Sequence, residues 1–401
     1  MQLDYDLLIV GGGLAGNCLA LSLKDSGLKI AIIEAQTREQ LHSTHSGDRA
    51  LALASGTVLM LEKLHAWQGV EHVATAIKQI HISDQGHFGK TRLSAEKEQV
   101  DALGYVISAR DIETHLADLV AEVGIKVISP ARVVGIMSAE DAIHVNLKQG
   151  NDSINLSAKL LVGADGGLSS VRTLLDIPQQ ITDYEQTALV TTVTTKLPHR
   201  NTAYERFTSS GPLALLPIAK NQCAVVWTRT KDDAEALMLG SEADFLTELQ
   251  RCFGFKLGAL SLSAPRRAFS LSLIRADKMV SGRAVIIGNA AHQLHPVAGQ
   301  GFNLGLRDVV HLAEMLLKHI NLQKDIGSAE FLAAYAQLRK KDHDRTIGFT
   351  DTVVKVFSNE WLVMAVARNL GLTILDHIPQ AKSVLTRHAM GLVSLATQLH
   401  K

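Results

Sequence analysis

Three different spacings of apolar residues succeed one another along this chain, and each change of spacing marks a change of structure. The short apolar run Tyr5–Val10 ends in "GGGLAG", and "NCLALSLKDSG" after it has helical periodicity as far as Gly27. A second apolar run, "KIAIIE" at 29–34, ends in an acid. Run, helix and run in this order predict a βαβ unit. The stretch "DRALALASGTVLMLEKL" at 48–64 predicts a helix with Asp48 as its N-cap. Short strand-like pieces follow at 77–104, and "RDIETHLADLVAEVG" returns to helix until Gly124 ends it. Positions 126–161 alternate and turn like a β-meander that leads into "LLVGADGGLSSVR".

From 178 to 276 the texture changes to long strands rich in Thr and Val: "TALVTTVTTKL", "AYERFT", "PLALLPI" and "CAVVWTRT". They predict an antiparallel sheet with one face open to a ligand, interrupted by one helix at 241–251. "AVIIG", from Ala284, resumes the first lobe, and the remainder is mostly helical. The expected fold is therefore α/β, with interleaved lobes. A discontinuous dinucleotide-binding domain takes 1–76, 104–177 and 277–345, an antiparallel-sheet substrate domain 77–103 and 178–276, and a C-terminal helical region 346–401.

Composition narrows the function classes. Forty basic and forty acidic residues among 401 offer no electrostatic footprint for nucleic acid. The composition is 46% hydrophobic, yet no apolar run approaches the ~20 residues that span a bilayer, so a soluble or peripheral cytoplasmic protein is expected. The opening "MQLDYDLLIV" carries two acids and no basic segment, unlike a secretory signal. Cys18, Cys223 and Cys252 are widely spaced without C-x-x-C, which fits a reducing compartment and argues against a disulfide framework or a thiolate metal site.

The chemistry starts at Gly11, Gly13 and Gly16, which form G-x-G-x-x-G between a predicted strand and helix. Gly11 allows the tight turn, Gly13 lets the backbone approach a pyrophosphate, and Gly16 permits close helix packing; the phosphates then meet free N–H groups at the helix start. Glu34, about 20 residues on, is placed to accept bonds from the adenosine ribose, and its charge disfavours a ribose phosphate. FAD or NAD is therefore expected over NADP. No second fingerprint follows, so any nicotinamide donor must dock without its own Rossmann site. "GADGGLSSVR" places Asp165 and Gly166 after an apolar strand, with Ser169 and Arg172 at helical spacing. "GRAVIIGNAAHQLHPVAGQGFNLGLRDVV", 282–310, puts Asn289 at a strand end. Pro296, Gly299, Gln300 and Gly301 then form a tight loop whose backbone N–H groups open at the next helix. Such donors suit the N1/O2 edge of a flavin, which becomes negative on reduction.

With these three motifs the chain resembles the group A flavoprotein aromatic hydroxylases of the para-hydroxybenzoate hydroxylase fold, over nearly its whole length. Within that group it is similar to the ubiquinone-biosynthetic hydroxylases, through "DRALALASGTVLMLEKLHAWQ", "HISDQGHFG", "YERFTSSGPLALLPI" and "LHPVAGQGFNLGLRDV". The resemblance implies a Rossmann-like FAD-binding domain and non-covalent FAD. It implies that Arg49 reaches toward the phosphates, Asp165 acts near the pyrophosphate through backbone or water, position 289 binds ribityl hydroxyls, and Arg110 contacts the ribityl chain or flavin. It implies NAD(P)H as transient donor, O2, a flavin C4a-hydroperoxide and a polyprenyl phenol substrate. Gly-Asn at 288–289 is, by the same resemblance, a tendency of the branch acting on 2-octaprenyl-6-methoxyphenol, where sister hydroxylases favour Gly-Asp. Asn both donates and accepts, so contact with hydroxyls survives the change from Asp.

Other residues are assigned to structure. His292 with His295, and His42 with His45, lack a third ligand for a metal. Alternation puts Tyr204 and Arg206 on one strand face, read as solvated, and no general base is assigned. Core packing accounts for most of the apolar C-terminal stripes around Trp361. An amphipathic membrane-contact helix is the alternative there, and a bilayer-dissolved substrate adds weight to it. Other ubiquinone-biosynthesis proteins are implied as partners. Two further functions stay open: a flavin-dependent reductase of prenyl double bonds, and a flavin-binding structural subunit of a membrane-associated complex.

Overall fold

Leu7, Leu8 and Ile9 are fully buried, and their strand Tyr5–Val10 lies inside an eight-stranded sheet. Across its parallel part the order is Ala284–Ile286, Asp152–Gly163, Tyr5–Val10, Ile30–Ile33 and Lys126–Ile128. Continuous apolar runs serve here because both faces are covered. Arg132–Ser138 and Ile143–Gln149 extend Asp152–Gly163 as an antiparallel meander. The computed structural model describes residues 2–43, 49–86, 89–294 and 299–357, together with Thr386 and Met390.

A second, nine-stranded sheet is built mainly from 179–276, with Gln79–Asp84 and Lys90–Ser94 at one edge and His292–Gln293 at the other. Its longest strand, Gln179–Thr195, pairs on one side with Arg267–Ala276 and on the other with Gln222–Thr230. Two helices, Lys231–Leu239 and Glu242–Phe253, pack on it where one was expected. Gly240 caps the end of the first, and Ser241 begins the second with a capping box to Asp244.

The helix expected over 48–64 is half strand. Ala50–Ala54 pairs antiparallel with Gly104–Ser108, and only Ser55–Lys63 is helical. Ala and Leu favour helix locally, and the cross-strand pairing overrides that preference. Thr75–Ile77 completes this three-stranded sheet, whose residues line part of the central cavity. Asp48, His45, His295, Pro296 and Trp361 lie outside the described residues, and His42 ends a helix, Arg38–Ser43, without a described side chain. The helix Ala329–Phe357 runs unbroken across position 345. Met390 is buried against Ile77, Leu93 and Val106, so the C-terminal segment reaches the core at that point. The three cysteines are buried and unpaired.

The helices Gln300–Asn321 and Ala329–Phe357 are joined through the Arg307–Asp342 pair at 2.8 Å and through the fully buried carboxylate of Asp308. Asp308, with no solvent exposure, accepts from Arg339 Nε and His343 Nε2 at 2.7 Å each, from His292 Nε2 at 2.9 Å and from the Gly288 N–H at 3.0 Å. Burial opposes its ionisation, but His343, Arg339 and His292 outweigh that and hold the carboxyl well below its usual range. His292, Asp308 and His343 lie close enough to share a cation. Asp308's acceptor positions are already taken, one by a guanidinium, so the cluster works as a polar core joint. His292, read from the sequence as lacking a third ligand, stands here beside Asp308 and His343.

Replacing Asp308 by Asn removes one of the two carboxylates that face buried Arg339, leaving only Asp342 at 2.7 Å from Nη2, for an expected loss of about 3 kcal/mol at pH 7. Urea denaturation measures it. Because the native carboxyl titrates low, the wild-type advantage is full above the ordinary carboxylate range near pH 4 and shrinks as the pH falls through the depressed value.

Candidate active site

A single cavity of about 1470 Å³ runs between the two large sheets. That exceeds the ~300–1,000 Å³ usual for one drug-sized ligand and suits a dinucleotide with a second molecule. Its two ends differ in chemistry.

At one end stands the first glycine loop. Gly11 has φ +105°, and a Cβ there would lie 2.5 Å from Ala164 O; a Cβ on Gly16 would lie 1.9 Å from Gly11 O. Gly13 is the exception, with nothing within 4 Å of its Cβ position, so a side chain there would enter the cavity itself. The helix Leu14–Ser22 has no side-chain cap at Gly13, which leaves its first N–H groups aimed outward for an anion. Glu34 stands alongside: Oε2 accepts from Gly12 N at 2.7 Å and Oε1 from Gln36 N at 2.9 Å, with lone pairs remaining on both. Arg49, Arg110 and Glu113 also line the cavity, the two arginines close enough to act on the Glu113 carboxyl. Burial raises the Glu113 carboxyl, the two arginines oppose the rise and Glu34 adds to it.

The other two motifs meet beside this loop. Asp165 spends its carboxylate on a local helix start, accepting from Ser170 N at 2.7 Å and Val171 N at 3.1 Å. Its backbone, with Gly166, lines the cavity beside Gly11. Arg172, which the sequence had offered only as a helical-spacing neighbour, is buried and ties this motif to the third: Nη1 donates to Ala290 O at 2.8 Å and Nη2 to Gly167 O at 2.7 Å. Asn289 sits on the turn Gly288–Ala290, exposed and at the cavity edge, and its amide makes no hydrogen bond among the described residues. Gly299 adopts a left-handed conformation, φ 61°, before the helix Gln300–Asn321, whose start likewise has no side-chain cap. Gly299 and Gly301 line the cavity, while the side chain of Gln300 lies outside the described set. Asn303 fixes this corner, donating to Gly299 O at 2.7 Å and accepting from Ala54 N at 3.2 Å and Thr57 Oγ1 at 2.5 Å. Two uncapped helix starts, an acid beside the first glycine loop and a free amide thus face one space, a donor and acceptor set that fits FAD.

The far end is apolar and comes from the nine-stranded sheet. Ala203, Phe207, Ala214, Leu216, Ala224 and Val226 all face the cavity. Tyr204 and Arg206 do share the other face, but it is not simply solvated: the Tyr204 ring packs edge-on to Phe253 at 5.4 Å and His81 at 5.7 Å. Glu205, between them, turns inward and lines the cavity. Alternation carried that signal, since an acid opposite Tyr204 and Arg206 shares its face with Ala203 and Phe207.

The chain matches the FAD-binding-domain family over residues 4–350. It is 35% identical to the ubiquinone hydroxylase UbiL of Rhodospirillum rubrum, over 98% of this chain and 91% of that protein. The chain belongs to the ubiquinone-biosynthesis FAD hydroxylase family. This hydroxylase is also 27% identical to the 3-demethoxyubiquinol 3-hydroxylase of Escherichia coli, over 96% of this chain and 98% of that one. Among solved structures, p-nitrophenol 4-monooxygenase PnpA of Pseudomonas putida shares the fold at TM-score 0.80 and 17% identity, over 97% of this chain and 99% of that one. The family makes the protein an FAD-dependent monooxygenase, an oxidoreductase that carries a flavin.

Two substitutions separate folding from cofactor binding. Gly13→Ala is expected to leave the thermal melting of the apoprotein unchanged and to weaken FAD by at least about tenfold, about 1.4 kcal/mol. Gly16→Ala is expected to lower the melting temperature itself, because its Cβ would meet Gly11 O at 1.9 Å. At position 289, Asn289→Asp should retain FAD and Asn289→Leu should lose most of it. Equal flavin occupancy in the two purified variants would refute a direct contact.

Proposed function

We propose that this hydroxylase acts on the ring of a polyprenyl phenol of the 2-octaprenyl-6-methoxyphenol kind, with NAD(P)H as electron donor and O2 as oxygen source. One observation carries the reading: the charged dinucleotide end and the apolar, sheet-lined end belong to one continuous cavity, so a prenylated ring can meet the cofactor away from water. The names of the relatives, a ubiquinone hydroxylase among them, support the pathway. Gly-Asn at 288–289 supports the branch.

In this reading the helix start at Gly13 holds the pyrophosphate, with Arg49 beside it and Asp165 and Gly166 shaping the neighbouring backbone. Glu34 accepts from the adenosine ribose. Asn289 bonds the ribityl chain, with Arg110 as a further contact, and the loop of Pro296, Gly299, Gln300 and Gly301 offers N–H groups to the flavin edge. Bound there, FAD would supply electron transfer from NAD(P)H and the activation of oxygen. The protein orients the ring and excludes water. The domain division expected from the sequence belongs to the same reading, with the apolar sheet as the substrate domain. Among the described residues no helix is long and apolar enough to cross a membrane. A bilayer-dissolved substrate therefore calls for peripheral membrane contact or delivery by another protein of the pathway.

The decisive measurement is NAD(P)H-driven turnover of a short-chain prenyl methoxyphenol under isotopically labelled O2. One labelled oxygen atom in the product is expected. Unlabelled product with a saturated prenyl bond would replace the reading with a reductase.

A further inference from the structure

Glu205 is the only ionisable side chain that the nine-stranded sheet contributes to the cavity, among the described residues. Strand register fixes its surroundings. Ile82, Glu205, Ala214, Val226 and Val190 form one straight row across five strands, and all five line the cavity. Directly paired residues of this kind stand about 4.5–5.5 Å apart at Cβ, so Ile82 and Ala214 flank the acid closely. Its carboxylate oxygens meet no donor among the described residues, and its partial exposure is to the cavity.

An unpaired acid on an apolar wall is costly, because nothing replaces the water its charge has lost. Burial alone pushes the Glu205 carboxyl up to about 7. Arg206, His81, Lys256, Lys90 and Arg92 gather around one another on the opposite face of the sheet, while Glu34, Arg49, Arg110 and Glu113 stand at the dinucleotide end. None of these charges contributes to the shift. An acid with no hydrogen-bond partner among the described residues fits a partner that arrives with the substrate.

Resting on the phenol-hydroxylase reading above, we propose that Glu205 accepts the hydrogen bond of the substrate's phenolic O–H and takes its proton during hydroxylation. The O–H bond of the phenol breaks and a new O–H bond forms on the carboxylate. The electron pair left on oxygen raises the density at the ortho and para ring carbons, where one atom of O2 adds as the O–O bond breaks, the other atom leaving as water, reduced by the two electrons of NAD(P)H. The substituted carbon then loses its hydrogen to water as the ring regains aromaticity, and Glu205 returns its proton to the phenolic oxygen. A carboxyl titrating near neutrality populates both forms at working pH, as this exchange requires.

The test uses FAD-loaded wild type, Glu205→Gln and Glu205→Leu. The probes are a geranyl-substituted 2-methoxyphenol and its O-methyl ether, with binding read from the change in flavin absorbance. Above pH 7 the wild type should bind the phenol at least about tenfold more tightly than the ether, a preference that fades as Glu205 protonates below that pH. Glu205→Leu should abolish the preference. Glu205→Gln should keep part of it, independent of pH, with kcat lowered by about a hundredfold. Equal binding of phenol and ether by the wild type, or a Glu205→Gln enzyme with unchanged kcat and pH profile, overturns the proposal. If the wild type still incorporates labelled oxygen, the hydroxylase reading survives that result. A pH-dependent preference for the phenol in a wild type that never incorporates oxygen upholds the contact to Glu205 and overturns the hydroxylase reading instead.

Discussion

One buried carboxylate holds the cofactor side of this molecule in register. Asp308 belongs to the helix that begins at Gln300, yet it takes a bond from Gly288, on the turn that presents Asn289, and from Arg339 and His343 on the following helix. A charge with no solvent contact persists only when its bonds are complete, so these elements are fixed together or not at all. Asn289 and Gly299 stand on opposite sides of one chain segment and still address the same space, because both ends of that segment are tied to this joint.

Around this joint the work is divided between two kinds of sheet. The parallel sheet is buried on both faces and acts through its strand ends, where loops and helix starts supply backbone donors. The antiparallel sheet offers side chains to the cavity, which register distributes in rows. Charge follows the same division: Glu34, Arg49, Arg110 and Glu113 line the cavity toward the first glycine loop, and among the described residues Glu205 is the one ionisable side chain that the antiparallel sheet puts into it. The two ends of the cavity thus offer different chemistry within one enclosure.

Much of this was legible in the sequence. The glycine spacing placed the first loop because its geometry is local: a turn, a close approach and a helix start within six residues, 11–16. The Thr- and Val-rich strands announced a sheet with one ligand face for the same reason, since a two-residue period is a local property. What escaped depends on distant partners. Ala50–Ala54 reads as helix until Gly104–Ser108 is laid beside it. Arg172, Asn303 and Asp308 look like ordinary helix residues, because the atoms they bond lie more than a hundred positions away or on the neighbouring turn and helix. Glu205 was half legible: alternation turned it away from Tyr204 and Arg206, but only the register showed that the face it joined is otherwise apolar.

The bonds that shape the two glycine corners have a consequence for affinity. Gly12 is held by Glu34 and by Asn17, whose Nδ2 donates to Gly12 O at 2.7 Å, and Gly299 is held by Asn303. All of these join protein groups to one another, so the loss of backbone freedom at these corners belongs to folding and not to cofactor capture. Preorganisation of this kind leaves most of the gross interaction energy available as net affinity. It also makes cofactor retention a sensitive gauge of these second-row side chains: loosening Asn17 or Asn303 would return entropy to the corners and show first as flavin lost on dilution, while every group that touches the dinucleotide remained in place.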